Sequence, residues 1–242
     1  MRRLFSSIVS VLFLFISCYS ELDIVNAEID ETDDGFPFSQ SNQYRNSVAL
    51  FGGSVAYSAS ICHSYWRDCL ALDLDVYAAS GAGFTIANNS IVSQVEKACS
   101  KKNYDLFLFW CSTNDYTRKA KIYSSDDNLD SFDSQGSGIA DCIGHVLESN
   151  SHAKIVFFSS LKSFDAYGYS TEIIEGQLSL FQYVEGQMVI CEQYGIPILD
   201  QFRPFPFNMD NYQSYYNDLI HPNDLGYETI KHRQALFLAN VY

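Results

Sequence analysis

Positive charge is scarce in this chain. Its 242 residues carry 15 lysines and arginines against 29 aspartates and glutamates, a formal net charge of −14. A surface of that sign repels a phosphate backbone and an anionic bilayer, which argues against a nucleic-acid partner. No Cys-x-x-Cys pair and no His/Cys cluster at zinc-site spacing occurs, so the sequence offers no metal centre. No Gly-x-Gly-x-x-Gly is completed; the nearest stretch, "SGAGFT" at Ser80–Thr85, lacks the last glycine and argues against a dinucleotide cofactor. No apolar run reaches the ~20 residues that a membrane-spanning helix needs. There is no internal repeat and no low-complexity block. What remains is a chain of 47% hydrophobic and 18% charged residues, enough to bury a core and sized for one large domain.

The first residues read as a targeting segment. Arg2 and Arg3 precede the apolar "SSIVSVLFLFIS", the n-region and h-region of a signal peptide. Two ends fit. "FISC" resembles a lipobox with Cys18 as the lipid-bearing residue, and "VNA" before Glu28 suits an ordinary signal peptidase. The expected organisation is a signal peptide over residues 1–27, a polar linker over 28–46 and one domain over 47–242. The protein is then exported, as a periplasmic, cell-surface or extracellular protein, with membrane contact only through a lipid on Cys18. Export permits disulfides. Yet Cys62, Cys69, Cys99, Cys111, Cys142 and Cys191 are scattered on apolar periodic segments, and they read mostly as small buried hydrophobes.

After the linker, apolar runs alternate with helical periodicities. Strands are expected at "SVALF", "LDVYAA", "YDLFLFWCS", "AKIVFFSS" and "IPILD". Helices are expected at "SASICHSYWRDCLAL", "SIVSQVEKAC", "GIADCIGHVLES", residues 172–194 and from Asn223 onward. Inward stripes include Ile139, Cys142, Ile143, Val146 and Leu147, then Ile174, Leu178, Phe181, Val184, Met188 and Cys191, then Tyr227, Ile230, Phe237 and Val241. This alternation implies an α/β domain with a parallel sheet covered by helices on both faces. Ligands sit at the carboxyl ends of the strands in such sheets.

Four short motifs fall there. Ser54 follows the first strand in "FGGS", Gly81 follows the second, Asn114 follows the third in "STND", and Asp218 and His221 lie in "DLIHP" before the last helix. A serine hydroxyl needs a base, which His221 can be, and Asp218 three residues earlier can hold the imidazole in one tautomer. Charge that develops on an acyl oxygen needs donors, each worth ~3 kcal/mol, and the N–H of Ser54, the N–H of Gly81 and the amide of Asn114 are suitable. Each motif alone also has an ordinary structural reading. Gly-Gly-Ser can be a plain turn, Asn114-Asp115 a helix cap, and "HPND" a helix entry with Asn223 as its cap. Their joint order on one side of one sheet favours chemistry. Ser58 and Ser60 lie past the strand end and are weaker nucleophiles; His63, His145, His152 and His232 have no comparable context. Asn88-Asn89-Ser90 fits a glycosylation sequon.

These blocks resemble, in order, those of the SGNH (GDSL-type) hydrolases: "GGS" at 52–54 for Gly-Asp-Ser, "SGAGFT" with Gly81, "STND" at 112–115 for Gly-x-Asn-Asp, and Asp-x-x-His-Pro at Asp218, His221 and Pro222. The resemblance implies a flavodoxin-like three-layer α/β/α fold with a five-stranded parallel sheet. It also implies ester hydrolysis by Ser54, His221 and Asp218, with an oxyanion hole of Ser54, Gly81 and Asn114 and no metal or other cofactor. Two residues depart from the pattern. Gly53 replaces Asp, which should loosen the nucleophile turn, and Ser112 replaces Gly, which adds bulk beside the oxyanion site. The loops at 115–137, 161–171 and 202–217 should border the site. The last is rich in aromatic rings that could stack on sugars or pack the loop. A small-molecule or glycan ester is the expected substrate, with a short acyl group such as acetyl on a carbohydrate favoured. The alternatives are a lipase or general carboxylesterase, an acyltransferase, or a non-catalytic glycan-binding protein; no long apolar lid helix is visible to support a lipase.

Overall fold

The strand β1 (Asn46–Gly52) is apolar from Val48 to Phe51, and those four residues are fully buried because strands flank it on both edges and helices cover both its faces. The computed structural model describes residues 46–85, 90–123, 134–165, 168–170, 178–203 and 205–241. All of them fall in the unit Phe38–Tyr242. The expected signal peptide, Cys18, nearly all of the linker, and Asn88 of the sequon lie outside the described residues.

Beyond β1 run α1 (Ser54–Ser58), α2 (Ser60–Cys69), β2 (Leu72–Val76), α3 (Ile91–Lys101), β3 (Leu106–Trp110), α4 (Asn114–Thr117) and α5 (Gln135–Ser149). Then come β4 (Lys154–Phe158), α6 (Leu180–Gln193), β5 (Ile198–Leu199), α7 (Tyr212–Tyr215) and α8 (Asp224–Val241). The sheet order is β2-β1-β3-β4-β5 with every pairing parallel, and Leu50 pairs Val76 on one side and Leu108 on the other. This is the expected flavodoxin-like order.

Alternate residues of each strand feed two cores, as a period of two requires. Leu50, Leu108, Trp110, Val156 and Phe158 pack with Cys62 and Trp66 of α2 and with Tyr227, Ile230 and Leu238 of α8. Phe51, Phe107, Phe109 and Phe157 pack with Val95 of α3, Ile139 and Ile143 of α5, and Cys191 of α6. The edge strand β2 differs: Leu72 and Leu74 are buried while Asp73 is exposed. Cys62, Cys111, Cys142 and Cys191 are buried free thiols, and Cys69 and Cys99 are half-buried free thiols.

Several boundaries differ from expectation. The chain becomes helical at Ser54 itself rather than at Ser58, because the Gly52-Gly53 pair ends the strand abruptly. β2 ends at Val76, although Tyr77 and Ala78 still donate to the Leu50 carbonyl and Ala79 to that of Gly52. α5 starts three residues early because Ser134 Oγ caps it by accepting from the Ser137 N–H. Leu147 and Leu178, expected inward, are exposed; the first sits in the last turn of α5, and the second precedes α6. Residues 171–177, with Ile174, lie outside the described residues.

His63 is only 5% exposed, tilted against Trp66, and its Nε2 has no hydrogen-bond partner among the described residues. Burial, then the Arg67 charge, lowers its pKa from 6.5 to about 4, while a bond to the Ala56 backbone pulls the other way. The unfolded chain therefore binds this proton more readily, so the stability from neutral burial is complete above pH 6.5 and is lost as pH falls toward 4. Urea denaturation should show the wild type losing about 1.4 kcal/mol more per pH unit across that window than His63→Gln does; parallel curves would refute this origin.

Candidate active site

At the last residue of β1, Gln94, a buried residue of α3, clamps the backbone: the Gly52 N–H donates to Gln94 Oε1 at 3.0 Å, and Gln94 Nε2 donates at 3.1 Å to the Gly52 carbonyl, which also accepts the Ala79 N–H. The residue here must be glycine, since a Cβ would stand 2.6 Å from the Trp110 carbonyl oxygen and 2.7 Å from Ala56 Cβ. Gly53 is extended and Ser54 opens α1, whose Val55 carbonyl accepts the Tyr227 hydroxyl of α8 at 2.8 Å. The serine is thus clamped from a helix on each face of the sheet.

The imidazole arrives from the other end of the chain. Ser54 Oγ lies 2.8 Å from His221 Nε2, and His221 Nδ1 lies 2.8 Å from Asp218 Oδ2. Asp218 Oδ1 also accepts the N–H groups of Ile220 and His221, each at 2.7 Å, so one carboxylate folds its own loop and orients the ring. The loop is closed by the Asn217 N–H on the His221 carbonyl and fastened to the body by the Phe164 N–H on the Leu219 carbonyl. Burial alone would raise the Asp218 carboxyl, but the bonds from the His221 ring and the two N–H groups outweigh it and hold it below the usual carboxylate value. The site is open, with the His221 side chain 33% and the Asp218 side chain 56% exposed.

The three expected oxyanion donors have different surroundings. Gly81 has φ +77°, a conformation that glycine adopts freely, and a Cβ there would meet nothing within 4 Å. Among the described residues, neither the Ser54 nor the Gly81 N–H donates to a protein acceptor. Asn114 opens α4, and its Nδ2 donates to the Ala82 carbonyl at 2.9 Å and to Ser112 Oγ at 2.7 Å. The Ala82 bond ties the Asn114 loop to the Gly81 loop. Asp115 ties them again: fully buried, it accepts the Phe84 and Thr85 N–H groups at 2.9 Å and the Thr85 hydroxyl at 2.6 Å.

The structure therefore joins Ser54, His221 and Asp218 in one hydrogen-bonded line and links Asn114 to the loop that carries Gly81. Gln94 and the anchoring role of Asp115 were missed from sequence; the available signal for Gln94 was a polar residue on the inner face of a helix, between Ile91 and Val95. The aromatic rings of residues 202–217 pack on one another and on the body, with Phe207 on Tyr215 at 4.5 Å and Tyr212 on Phe164 at 4.6 Å.

A serine, imidazole and carboxylate in line can pass a proton away from the hydroxyl during attack on an acyl carbon. Replacing the acid by an amide should lower kcat for p-nitrophenyl acetate about 10²–10⁴-fold in Asp218→Asn. A kcat in Asp218→Asn within about twofold of the wild type at neutral pH would contradict the assigned role.

Among curated sequences none matches this chain. The fold is shared with solved structures at low identity. A protein from Lactobacillus plantarum matches at TM-score 0.67 and 16% identity, covering 83% of this chain and 100% of that one. A GDSL-like lipase from Bacteroides thetaiotaomicron matches at TM-score 0.58 and 16% identity, covering 80% and 89%. The salicylyl acyltransferase of a tetracycline biosynthetic pathway matches at TM-score 0.61 and 14% identity, covering 83% of this chain and 56% of that one. The sequence itself matches the profile of the GDSL-like lipase/acylhydrolase family over residues 50–229, most of its length, and the chain belongs to that family.

Proposed function

We propose that this hydrolase is an exported serine esterase that cleaves a short acyl group, such as acetyl, from a carbohydrate through an acyl-enzyme on Ser54. The observation that carries the catalytic reading is the 2.8 Å contact of Ser54 Oγ with His221 Nε2, continued at 2.8 Å from Nδ1 to Asp218. His221 takes the Ser54 proton as Oγ bonds to the acyl carbon. The negative oxygen is met by the Ser54 and Gly81 N–H groups and by Asn114, and each donor is worth about 3 kcal/mol. Collapse expels the sugar oxygen, which takes the proton from Nε2. Water then enters, gives its proton to His221 and releases the acid, and Ser54 recovers its hydrogen.

The substrate reading draws on an open site and on the sequence. With His221 one-third exposed, a bulky alcohol can reach Ser54. Tyr57, 60% exposed and three residues past Ser54, offers a ring for a sugar face, a role that the packed rings of residues 202–217 do not supply. The same openness admits an acceptor alcohol in place of water, so acyl transfer is the second reading, in keeping with the acyltransferase that shares the fold.

A serine-directed phosphonate should label Ser54, and Ser54→Ala should abolish both labelling and release of acetate from acetylated polysaccharides. Unlabelled protein with unchanged hydrolysis in the variant would overturn the reading of Ser54 as the nucleophile of an esterase. A sugar acceptor that captures the acyl group in place of free acid would make the protein a transferase. Export is checked by the mass of the mature N-terminus, expected at a lipidated Cys18 or at Glu28; a chain that keeps Met1 inside the cell would refute it.

A further inference from the structure

The two residues at which this chain departs from its family's motifs touch one another. A Cβ added to Gly53 would lie 2.5 Å from Ser112 Oγ, 3.0 Å from the Ala82 carbonyl oxygen and 3.0 Å from Asn114 Nδ2. The first distance is too short for a non-bonded carbon–oxygen contact, so a side chain at 53 would require the hydroxyl at 112 to leave its present position. The space is not slack: the Ser112 hydroxyl fills it. Ser112 is buried, and its Oγ accepts from the Asn114 N–H at 3.0 Å and from Asn114 Nδ2 at 2.7 Å. Its own backbone is fixed, since the Ser112 carbonyl accepts the Ser160 hydroxyl at 3.1 Å and that hydroxyl accepts from Gln187 Nε2 at 3.0 Å.

We propose that Ser112 is a positioning residue whose hydroxyl, admitted by the bare Gly53, holds the Asn114 carboxamide against the residue that precedes the nucleophile. This rests on the reading of Ser54 as that nucleophile. Both hydrogens of Asn114 Nδ2 are engaged, one on the Ala82 carbonyl and one on Ser112 Oγ. The Ala82 bond fixes the plane of the amide, and the Ser112 bond parks the second hydrogen. An acyl oxygen that gains negative charge forms a stronger, charge-assisted bond than a neutral hydroxyl does, and so draws that hydrogen away from Ser112. The Asn114 backbone bond to Ser112 Oγ stays in place during the exchange. Without the hydroxyl, the carboxamide keeps a single tether and loses its aim. The missing Asp therefore does not leave the nucleophile turn unsupported; its place is taken from the neighbouring loop.

The test is a double-mutant cycle on p-nitrophenyl acetate hydrolysis with Ser112→Ala, Asn114→Ala and their combination, each checked for an unchanged melting temperature. Ser112→Ala should lower kcat about 10- to 100-fold, with KM within about twofold. In the Asn114→Ala background the same change should alter kcat less than about twofold, because the residue it acts through is gone. Gly53→Ala should lower kcat more in the wild type than in Ser112→Ala, where the clashing oxygen is absent. The cycle adds no bulk and so stands even if Gly53→Ala does not fold. Wild-type kcat in Ser112→Ala, or an equal loss with and without Asn114, would overturn the proposal. Ser54→Ala and phosphonate labelling in the same series report separately on the nucleophile: hydrolysis that survives Ser54→Ala defeats the underlying reading, while a dead Ser54→Ala beside an unaffected Ser112→Ala defeats only this inference.

Discussion

A parallel sheet leaves backbone groups without partners at the carboxyl ends of its strands, and in this protein buried carboxamides answer that need. Gln94 bonds both the N–H and the carbonyl of Gly52. Gln187 accepts from the Ser160 N–H and donates to its hydroxyl, and Gln201 donates to the Ser159 carbonyl. An orphaned buried polar group costs about 1–3 kcal/mol, more than a typical hydrogen bond contributes net. These amides are therefore constraints more than sources of stability. They hold the ends of β1 and β4 without placing a charge there.

The sheet was readable because its central strands are apolar on both faces; "YDLFLFW" has no other comfortable fate. The line of Ser54, His221 and Asp218 was readable for a different reason. Asp218 and His221 are neighbours in sequence, and Ser54 lies at a strand end, so the arrangement could be assembled from short words. What was not readable was contact between distant words. Gly53 looked like a weakness until the hydroxyl of Ser112 was seen in its place, and nothing in either motif says that they meet. Gln94 is 42 residues from the glycine that it clamps. The aromatic loop was ambiguous because rings serve packing and recognition alike, and only their mutual stacking decided between them. The helix at Ser54 was hidden by Gly-Gly, which reads as a turn whether a helix or a loop comes next.

Asp218 does two tasks with one carboxylate. One oxygen orients the imidazole, and the other gathers the N–H groups of Ile220 and His221. Carboxylate and imidazole are thereby held in one small ring of chain, and that ring is hung from Phe164 on one side and leads into α8 on the other. Under the proposed mechanism the alignment within the pair tolerates drift of the loop, because both partners travel together. Only one gap is free to vary, the one between ring and serine. It is bridged indirectly by the Tyr227 hydroxyl on the Val55 carbonyl, which fastens the helix behind the base to the helix behind the nucleophile. A single buried phenol thus joins the two sides of the Ser54–His221 contact a second time, away from the contact itself.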